Sequence, residues 1–172
     1  YYEPDSMPKG TYSSAINFKT WSAWPLKEAN NLGRAYNYPH VAAAYWVLYR
    51  MARNHKGLVT NHHSDWYLEH AYHTIAGMME HAPYYTQFGL MEGSVFYFIL
   101  KDLRAEGKKE FADKLEAIMK KRAIHWNKLE FPFGSEMPWD STGQEEVYIW
   151  CLFFGYEDKA TVTLNAILGY TP

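Results

Sequence analysis

Hydrophobic and polar positions divide the chain near residue 38. Residues 1–37 show no sustained helical period, and prolines and glycines interrupt them repeatedly. We therefore predict a long, mostly irregular segment with one short helical turn near residues 26–32. An irregular segment of this length usually wraps a scaffold or lines a site.

Beyond residue 37, three segments are largely apolar, the first and last on nearly every side and the middle one through its first half, which is typical of helices that are buried on most of their surface. They span residues 38–51, 91–106 and 143–154. Pro39 suits the first turn of the first segment, because its missing amide would have no helical partner there. We predict three inner helices from these segments.

Three other segments are amphipathic, with one apolar face and one charged face. They span residues 64–82, 108–128 and 158–168. In the middle one, Leu115 and Met119 recur at helical spacing, and Lys114, Glu116 and Lys120 fall on the other side. Helices of this kind belong at the periphery, so we predict three outer helices.

The inner and outer helices alternate along the chain and are joined by short connections. This order predicts an all-α fold of three antiparallel helical hairpins in two layers, about half of an (α/α)6 toroid. No repeat of roughly 34–45 residues supports a solenoid instead. We therefore predict a single partial domain over residues 1–172, in which residues 1–37 wrap the six helices of residues 38–172.

Composition and charge limit the kinds of partner that the chain is expected to bind. The formal charge is -2 and no basic stripe occurs, so we expect no nucleic-acid binding. No charge-free apolar run of about 18 residues occurs, so we expect no membrane span. Cys151 lies in an apolar run and is expected to be a small buried side chain. Aromatic residues make up 18% of the chain, which suits either a helical core or a sugar-binding cleft.

The connections that lead from an outer helix to the next inner helix should lie at one end of the fold, above the N-termini of the inner helices. They are residues 21–40, 84–92 and 131–146. The last one contains FPFGSEMPWDSTGQEE, which carries more carboxylates and aromatic rings than a simple turn requires. We therefore expect polar and aromatic side chains from all three connections to converge on one site.

Carboxylates beside aromatic rings are typical of glycoside hydrolysis, in which one carboxyl protonates the leaving oxygen and another activates water or attacks the sugar. Glu136 is the candidate acid, because its apolar neighbours would raise the pKa of its carboxyl. Asp140 is the candidate base, and Glu92 is the alternative.

The other polar and aromatic residues near these connections are candidates for substrate binding. They are Trp24, Tyr38, His40, Gln87, Trp139, Gln144, Glu146 and Tyr148. For Glu145 a structural role is favoured, since Thr142 and Glu145 have the spacing of a capping box. The helix dipole favours the charged form of Glu146, which argues against proton donation and leaves sugar binding open.

Metal and cofactor chemistry has little support in the sequence. His62, His63, His70 and His73 lack the spacing of a zinc motif, and a solvated helix face accounts for them. We expect no metal and no cofactor. A polysaccharide lyase remains an enzymatic alternative, with Arg34, Tyr38 and His40 as charge neutraliser and base.

Four stretches of the chain carry a resemblance to a known family. They are TYSSAINFKTWSAWPLKEAN, YNYPHVAAAYWVLYRMARNH, QFGLMEGSVF and FPFGSEMPWDSTGQEEVYIWCLFFGYEDKATVTLNAILGYTP. Through them, the chain resembles over nearly its whole length the family called domain of unknown function 5695. Members of this family are large secreted microbial proteins of the six-hairpin-glycosidase-like class.

The resemblance implies an (α/α) toroid, a carbohydrate or polysaccharide partner, and a secreted or cell-surface location. It also implies that the chain is an internal section of a longer protein, whose remaining helices complete the toroid. The family supplies neither a substrate nor a catalytic pair. A non-catalytic glycan-binding or cell-envelope structural protein is therefore the alternative to a hydrolase, with the same aromatic rings binding sugars and the carboxylates accepting hydrogen bonds.

Overall fold

A computed structural model describes residues 8–10, 15, 26–132 and 142–169. The chain divides into one compact unit at Tyr1–Leu32 and a second at Gly33–Pro172. The described part of the first unit contains one short helix, α1 (Leu26–Ala29), at the position of the predicted helical turn. The other described helices belong to the second unit.

Six helices of the second unit confirm the predicted all-α class. They are α2 (Asn37–Asn54), α3 (Ser64–His81), α4 (Val95–Ala105), α5 (Lys109–Lys128), α6 (Gln144–Phe153) and α7 (Glu157–Gly169). Pro83–Tyr85 form a 3-10 turn, and the described ranges contain no β-strand. The predicted segments match these helices to within a few residues. The largest difference is at α4, which begins at Val95 because turns occupy the residues just before it.

Side-chain contacts show the direction of the inner helices. His40 near the start of α2 contacts Glu92, which lies just before α4. Arg53 near the end of α2 contacts Glu106, which lies just after α4. Because the two starts meet and the two ends meet, α2 and α4 run parallel to each other.

The first outer helix runs in the opposite direction to its inner neighbour. Tyr38 of α2 lies beside Gly77 of α3. Tyr45, seven residues further along α2, lies beside His70 of α3. The numbers rise along α2 as they fall along α3, so the two helices form an antiparallel hairpin. Parallel inner helices with an antiparallel outer neighbour are compatible with part of an (α/α) toroid.

The core consists mainly of side chains from α3, α4, α5 and α6. Phe96, Trp126 and Trp150 are its largest fully enclosed members. Burying a side chain such as Phe96 stabilises the fold by about 1.5–3 kcal/mol. Cys151 is also fully buried, and burial raises the pKa of its thiol to about 11, in agreement with the expected core role.

Helix α2 corrects one part of the sequence interpretation. The segment is apolar nearly all round, which predicted burial on most sides, but only Pro39, Ala42 and Tyr49 are buried. Val41 and Val47 are 46% and 48% exposed. Helices α3 and α4 cover α2 on part of its circumference, so the described residues leave its remaining apolar face uncovered. A hydrophobic pattern shows which positions suit burial, whereas burial itself needs a neighbour.

Candidate functional site: a carboxylate on a strained turn

The connection between α3 and α4 ends in a tight turn that exposes Glu92. The Gly93 amide donates to the Leu90 carbonyl at 2.8 Å, which closes the turn formed by residues 90–93, here called the 90–93 turn. Glu92 has a φ of 63° and is the one non-glycine residue of the described chain with a positive φ. A side chain in this left-handed region costs about 1–2 kcal/mol. Backbone strain of this kind concentrates at functional sites.

The Glu92 carboxylate contacts a histidine from another helix. Its Oε2 lies 2.7 Å from Nδ1 of His40, and both side chains remain accessible, with 53% and 42% of their surfaces exposed. His40 lies in the first turn of α2, next to the 90–93 turn because α2 and α4 run parallel. The pair joins two residues that the sequence singled out separately.

A buried ion pair is hydrogen-bonded to the 90–93 turn. Glu146, in the first turn of α6, has no exposed side-chain surface, and its Oε2 accepts the Leu90 amide at 2.7 Å. The Arg122 guanidinium of α5 contacts both carboxylate oxygens, with Nη2 to Oε2 at 2.9 Å. Complete burial raises the pKa of Glu146, and Arg122 and the Leu90 amide oppose that shift. Because these polar partners are all hydrogen-bond donors, the arrangement fits an ionised carboxylate.

The same guanidinium holds the connection that leads into the turn. Arg122 donates from Nε to the Thr86 carbonyl and from Nη2 to the Phe88 carbonyl, each at 2.9 Å. Trp126, one helical turn further along α5, donates from its indole nitrogen to the Gln87 carbonyl at 2.8 Å. One face of α5 therefore binds three successive backbone carbonyls of the connection, those of Thr86, Gln87 and Phe88.

Glu145 lies near the same turn, beside the backbone amides of Glu92 and Gly143. Burial raises the pKa of Glu145, the neighbouring Glu146 charge adds to the rise, and the amide donors oppose it. Of the two successive glutamates at the start of α6, Glu146 binds the 90–93 turn directly, through the Leu90 amide.

Glycines allow this close approach. A Cβ atom on Gly143, whose φ is 82°, would lie 2.2 Å from the Gly89 carbonyl oxygen. A Cβ atom on Gly93 would lie 2.3 Å from Cδ of Glu146. Both distances are far below van der Waals contact, so side chains larger than hydrogen at these positions would push α6 away from the turn.

The predicted substrate-binding residues that the structure describes have different surroundings. Tyr38 is half-buried, and burial raises the pKa of its phenol. Gln144 is buried and Tyr148 is half-buried against the core. Gln87 is half-buried on the wall of an open groove of about 350 Å³ that Lys121 and His125 also line. Glu146 is enclosed by its partners, so sugar binding through its carboxylate would require the Arg122 pair to open.

Several predicted site residues lie outside the described residues. They are the catalytic candidates Glu136 and Asp140 and the substrate-binding candidates Trp24 and Trp139. Their roles therefore stay predictions from the sequence.

The sequence interpretation missed Arg122 and misplaced a cap. Arg122 lies on the apolar stripe of α5, after Leu115 and Met119 and before Trp126. A charged residue at an apolar position is seldom buried without a partner, so this position could have indicated a buried ion pair. The capping box predicted at Thr142 is wrong in register, because Gly143 is the N-cap of α6 and contributes no side-chain cap. The left-handed backbone of Gly143 places the first helical residue one position later than the pattern suggested.

Two of the histidines in and before α3 pack on an aromatic ring. His62, just before α3, and His70, within it, both stack on Trp66, with ring centroids 3.9 and 3.6 Å away. His70 also contacts the Trp66 carbonyl at 2.7 Å through Nδ1. For His62 and His70, packing on an aromatic ring therefore replaces the predicted fully solvated face. Within the described ranges, no three histidine, cysteine or acidic side chains are grouped as metal ligands would be.

Fold and site together define an all-helical protein, with an accessible carboxylate beside a histidine at the starts of α2 and α4. The chain belongs to the family of unknown function DUF5695, whose match covers residues 1–172. No match to this chain exists among the curated proteins or the solved structures. In the part of the chain that the structure describes, no helix has the length and apolar character needed to cross a membrane.

Proposed function

We propose that this chain is part of a carbohydrate-active protein, a glycoside hydrolase that cleaves a polysaccharide through paired carboxylates. The observation that carries the proposal is Glu92, an accessible carboxylate on a strained backbone, paired with His40 and supported by a buried network. Strain that the surrounding structure maintains is typical of groups that must keep one orientation for chemistry. Glu92 is therefore a stronger candidate than the sequence alone made it.

The second carboxylate of the reaction would come from the segment GSEMPWDST. Glu136 keeps the role of proton donor, and Glu92 or Asp140 acts as the base or nucleophile. Trp24, Tyr38 and Trp139 would supply the aromatic surface that sugar rings stack on. Further helices of a longer parent chain would complete the toroid, and the resemblance to secreted proteins favours action outside the cell or at its surface.

A polysaccharide lyase is the second candidate, and the contact between His40 and Glu92 favours it. A carboxylate bonded to Nδ1 fixes the tautomer and orientation of an imidazole, which leaves Nε2 available to remove a proton from the sugar. A hydrolase produces new reducing ends without unsaturation, whereas a lyase produces an unsaturated sugar with each cleavage. The products therefore distinguish the two reactions.

The test is the release of new reducing ends from a panel of neutral and acidic polysaccharides by the full-length protein, with ultraviolet absorbance recorded in parallel. We expect wild-type turnover and a loss on the order of a hundredfold or more in Glu92→Gln and Glu136→Gln. Glu106→Gln, at the opposite end of α4, is the matched control and should keep full activity. Absorbing products would replace the hydrolase with the lyase. Binding without cleavage of any polymer would favour the glycan-binding alternative.

A further inference from the structure

Arg122 and Glu146 form a buried unit that reaches the candidate site without being part of its accessible surface. Their side chains are 3% and 0% exposed. Through the Leu90 amide the pair binds the first residue of the 90–93 turn, whose third residue is Glu92. Two almost fully enclosed side chains therefore contact the turn that carries the Glu92 carboxylate.

We propose that Arg122 and Glu146 are positioning residues for Glu92, because the pair locks the 90–93 turn in the one backbone geometry that sets the Glu92 carboxylate against His40. The catalytic part of this inference rests on the proposed function. The structural part, which is the coupling between the buried pair and the contact of His40 with Glu92, does not.

The geometry of the turn explains why a strong lock is needed. Glu92 would relax from its left-handed φ if the turn were free, since most residues favour negative φ. The hydrogen bond from the Leu90 amide to the buried Glu146 carboxylate opposes that relaxation. Charge-assisted hydrogen bonds are about twice as strong as neutral ones, so this lock can outweigh the strain.

The choice of arginine also points to positioning. Arg122 contacts two carbonyls of the connection and both oxygens of Glu146 at the same time. A lysine carries the same charge but cannot make this planar, forked set of hydrogen bonds. Arg122→Lys therefore keeps the buried charge balanced while it removes most of the geometric constraint.

The experiment compares Arg122→Lys with the double variant Arg122→Met plus Glu146→Gln. The double variant removes both charges together, which buried ion pairs often tolerate without loss of folding. Arg53→Lys is the matched control, since Arg53 also pairs with a glutamate but at the opposite end of α2. Circular dichroism and thermal unfolding first establish that each variant is folded.

The first measurement is nuclear magnetic resonance, which needs no substrate. We expect the Leu90 amide to exchange on the order of tenfold faster in Arg122→Lys and in the double variant. The His40 imidazole nitrogen signals, recorded at one pH, should move toward their positions in Glu92→Gln. Neither observable should change in Arg53→Lys. Wild-type exchange and wild-type His40 signals in both folded variants would overturn the proposal, as would loss of folding in both.

The second measurement uses turnover to separate positioning from general weakening. A misplaced carboxylate should lower kcat by about tenfold to a hundredfold and leave KM nearly unchanged. In a Glu92→Gln background, Arg122→Lys should cause no further fall, because the residue that it positions is already disabled. An equal, additive fall in both backgrounds would overturn a role that acts through Glu92. If wild type cleaves no glycan, the proposed function fails alone, and the resonance measurement still decides the positioning role.

Discussion

Helices α2 and α4 have an arginine–glutamate pair near each end, and the two pairs have opposite surroundings. At the starts of these helices, Arg122 and Glu146 are enclosed and bonded to three backbone groups of the connection. At their ends, the Arg53 and Glu106 side chains are 54% and 23% exposed, and Tyr49 donates to the same carboxylate at 2.9 Å. Residue types are the same in both pairs, so environment alone separates their roles.

The backbone geometry is tightly constrained at the starts of α2 and α4, whereas at their ends the charge pair constrains it little. A buried charge without a partner is strongly destabilising, so the Arg122–Glu146 network tolerates few changes. Water can replace the partner of an exposed charge, so the Arg53–Glu106 pair adds little stability and constrains the backbone little. Precise geometry is therefore concentrated at the end where Glu92 and His40 lie.

Removing the arginine from each pair should produce the largest difference between the two ends. Arg122→Met leaves the Glu146 carboxylate buried and unpaired, so we expect a loss of about 3–5 kcal/mol in the free energy of unfolding. Arg53→Met should lose much less, because water can replace the partner of an exposed charge. Urea unfolding of both variants measures the difference. Equal losses would show that burial does not distinguish the two ends.

Glycine substitutions give the next largest effect. Gly143→Ala adds a Cβ atom to a left-handed residue and places it against the Gly89 carbonyl, so we expect a loss of about 2–4 kcal/mol from strain and overpacking. Gly107→Ala is the matched control, because its φ is 70° but no atom lies within 4 Å of the new Cβ. It should lose only about 1–2 kcal/mol. A loss at Gly143 no larger than the control would contradict the close packing of α6 on the turn.

The pH dependence of stability should separate the two ends by sign. Burial raises the pKa of Glu145, so the folded protein holds this proton more tightly than the unfolded chain does. The stability that Glu145 contributes is therefore full below the unfolded pKa of about 4.3 and is lost as the pH rises through the folded pKa. A carboxyl whose pKa falls on folding has the opposite dependence, because the unfolded chain then holds the proton more tightly.

Glu145→Gln tests this sign, because the amide does not titrate. Relative to wild type, the variant should gain stability as the pH rises above about 4.3. Denaturant unfolding between acidic and neutral pH measures the difference. A variant that loses stability relative to wild type over this range would show that the amide donors outweigh burial.

The smallest effect is expected at Glu106. Hydrogen bonds from Arg53 and Tyr49 lower the pKa of this carboxyl, so its stabilising contribution is present above the unfolded pKa of about 4.3. That contribution is lost as the pH falls through the lowered folded pKa. Wild type should therefore be slightly more stable than Glu106→Gln at neutral pH and equal to it in strong acid. A difference that grows on acidification would contradict the assigned cause.

The sequence predicted the helices well because their hydrophobic period is local information. Apolar positions three and four residues apart define a helix face wherever the rest of the chain lies. The uncovered side of α2 could not be predicted this way, since Val41 and Val47 are exposed for want of a neighbour. Patterns within one helix carry no information about which other helix covers it.

Some members of the candidate site could be predicted from the sequence, but the contacts between them could not. Glu92 and His40 both lie in segments that the alternation of helices brings to one end, so each was named. Their pairing across 52 positions depends on the register of α2 against α4, which no local pattern contains. Arg122 was missed because charges on an amphipathic helix usually face water, and its buried partner lies 24 positions away.

The hydrogen bond of Glu146 to the 90–93 turn also fixes where the chain can change length. Successive residues of a helix point about 100° apart, and Glu146 lies three residues after the left-handed Gly143. Adding or deleting one residue between Gly143 and Glu146 would rotate the carboxylate away from the Leu90 amide. A change of length before Gly143 would leave that rotation untouched. Among related chains, we therefore expect insertions to accumulate on one side of Gly143 and the spacing on its other side to be constant.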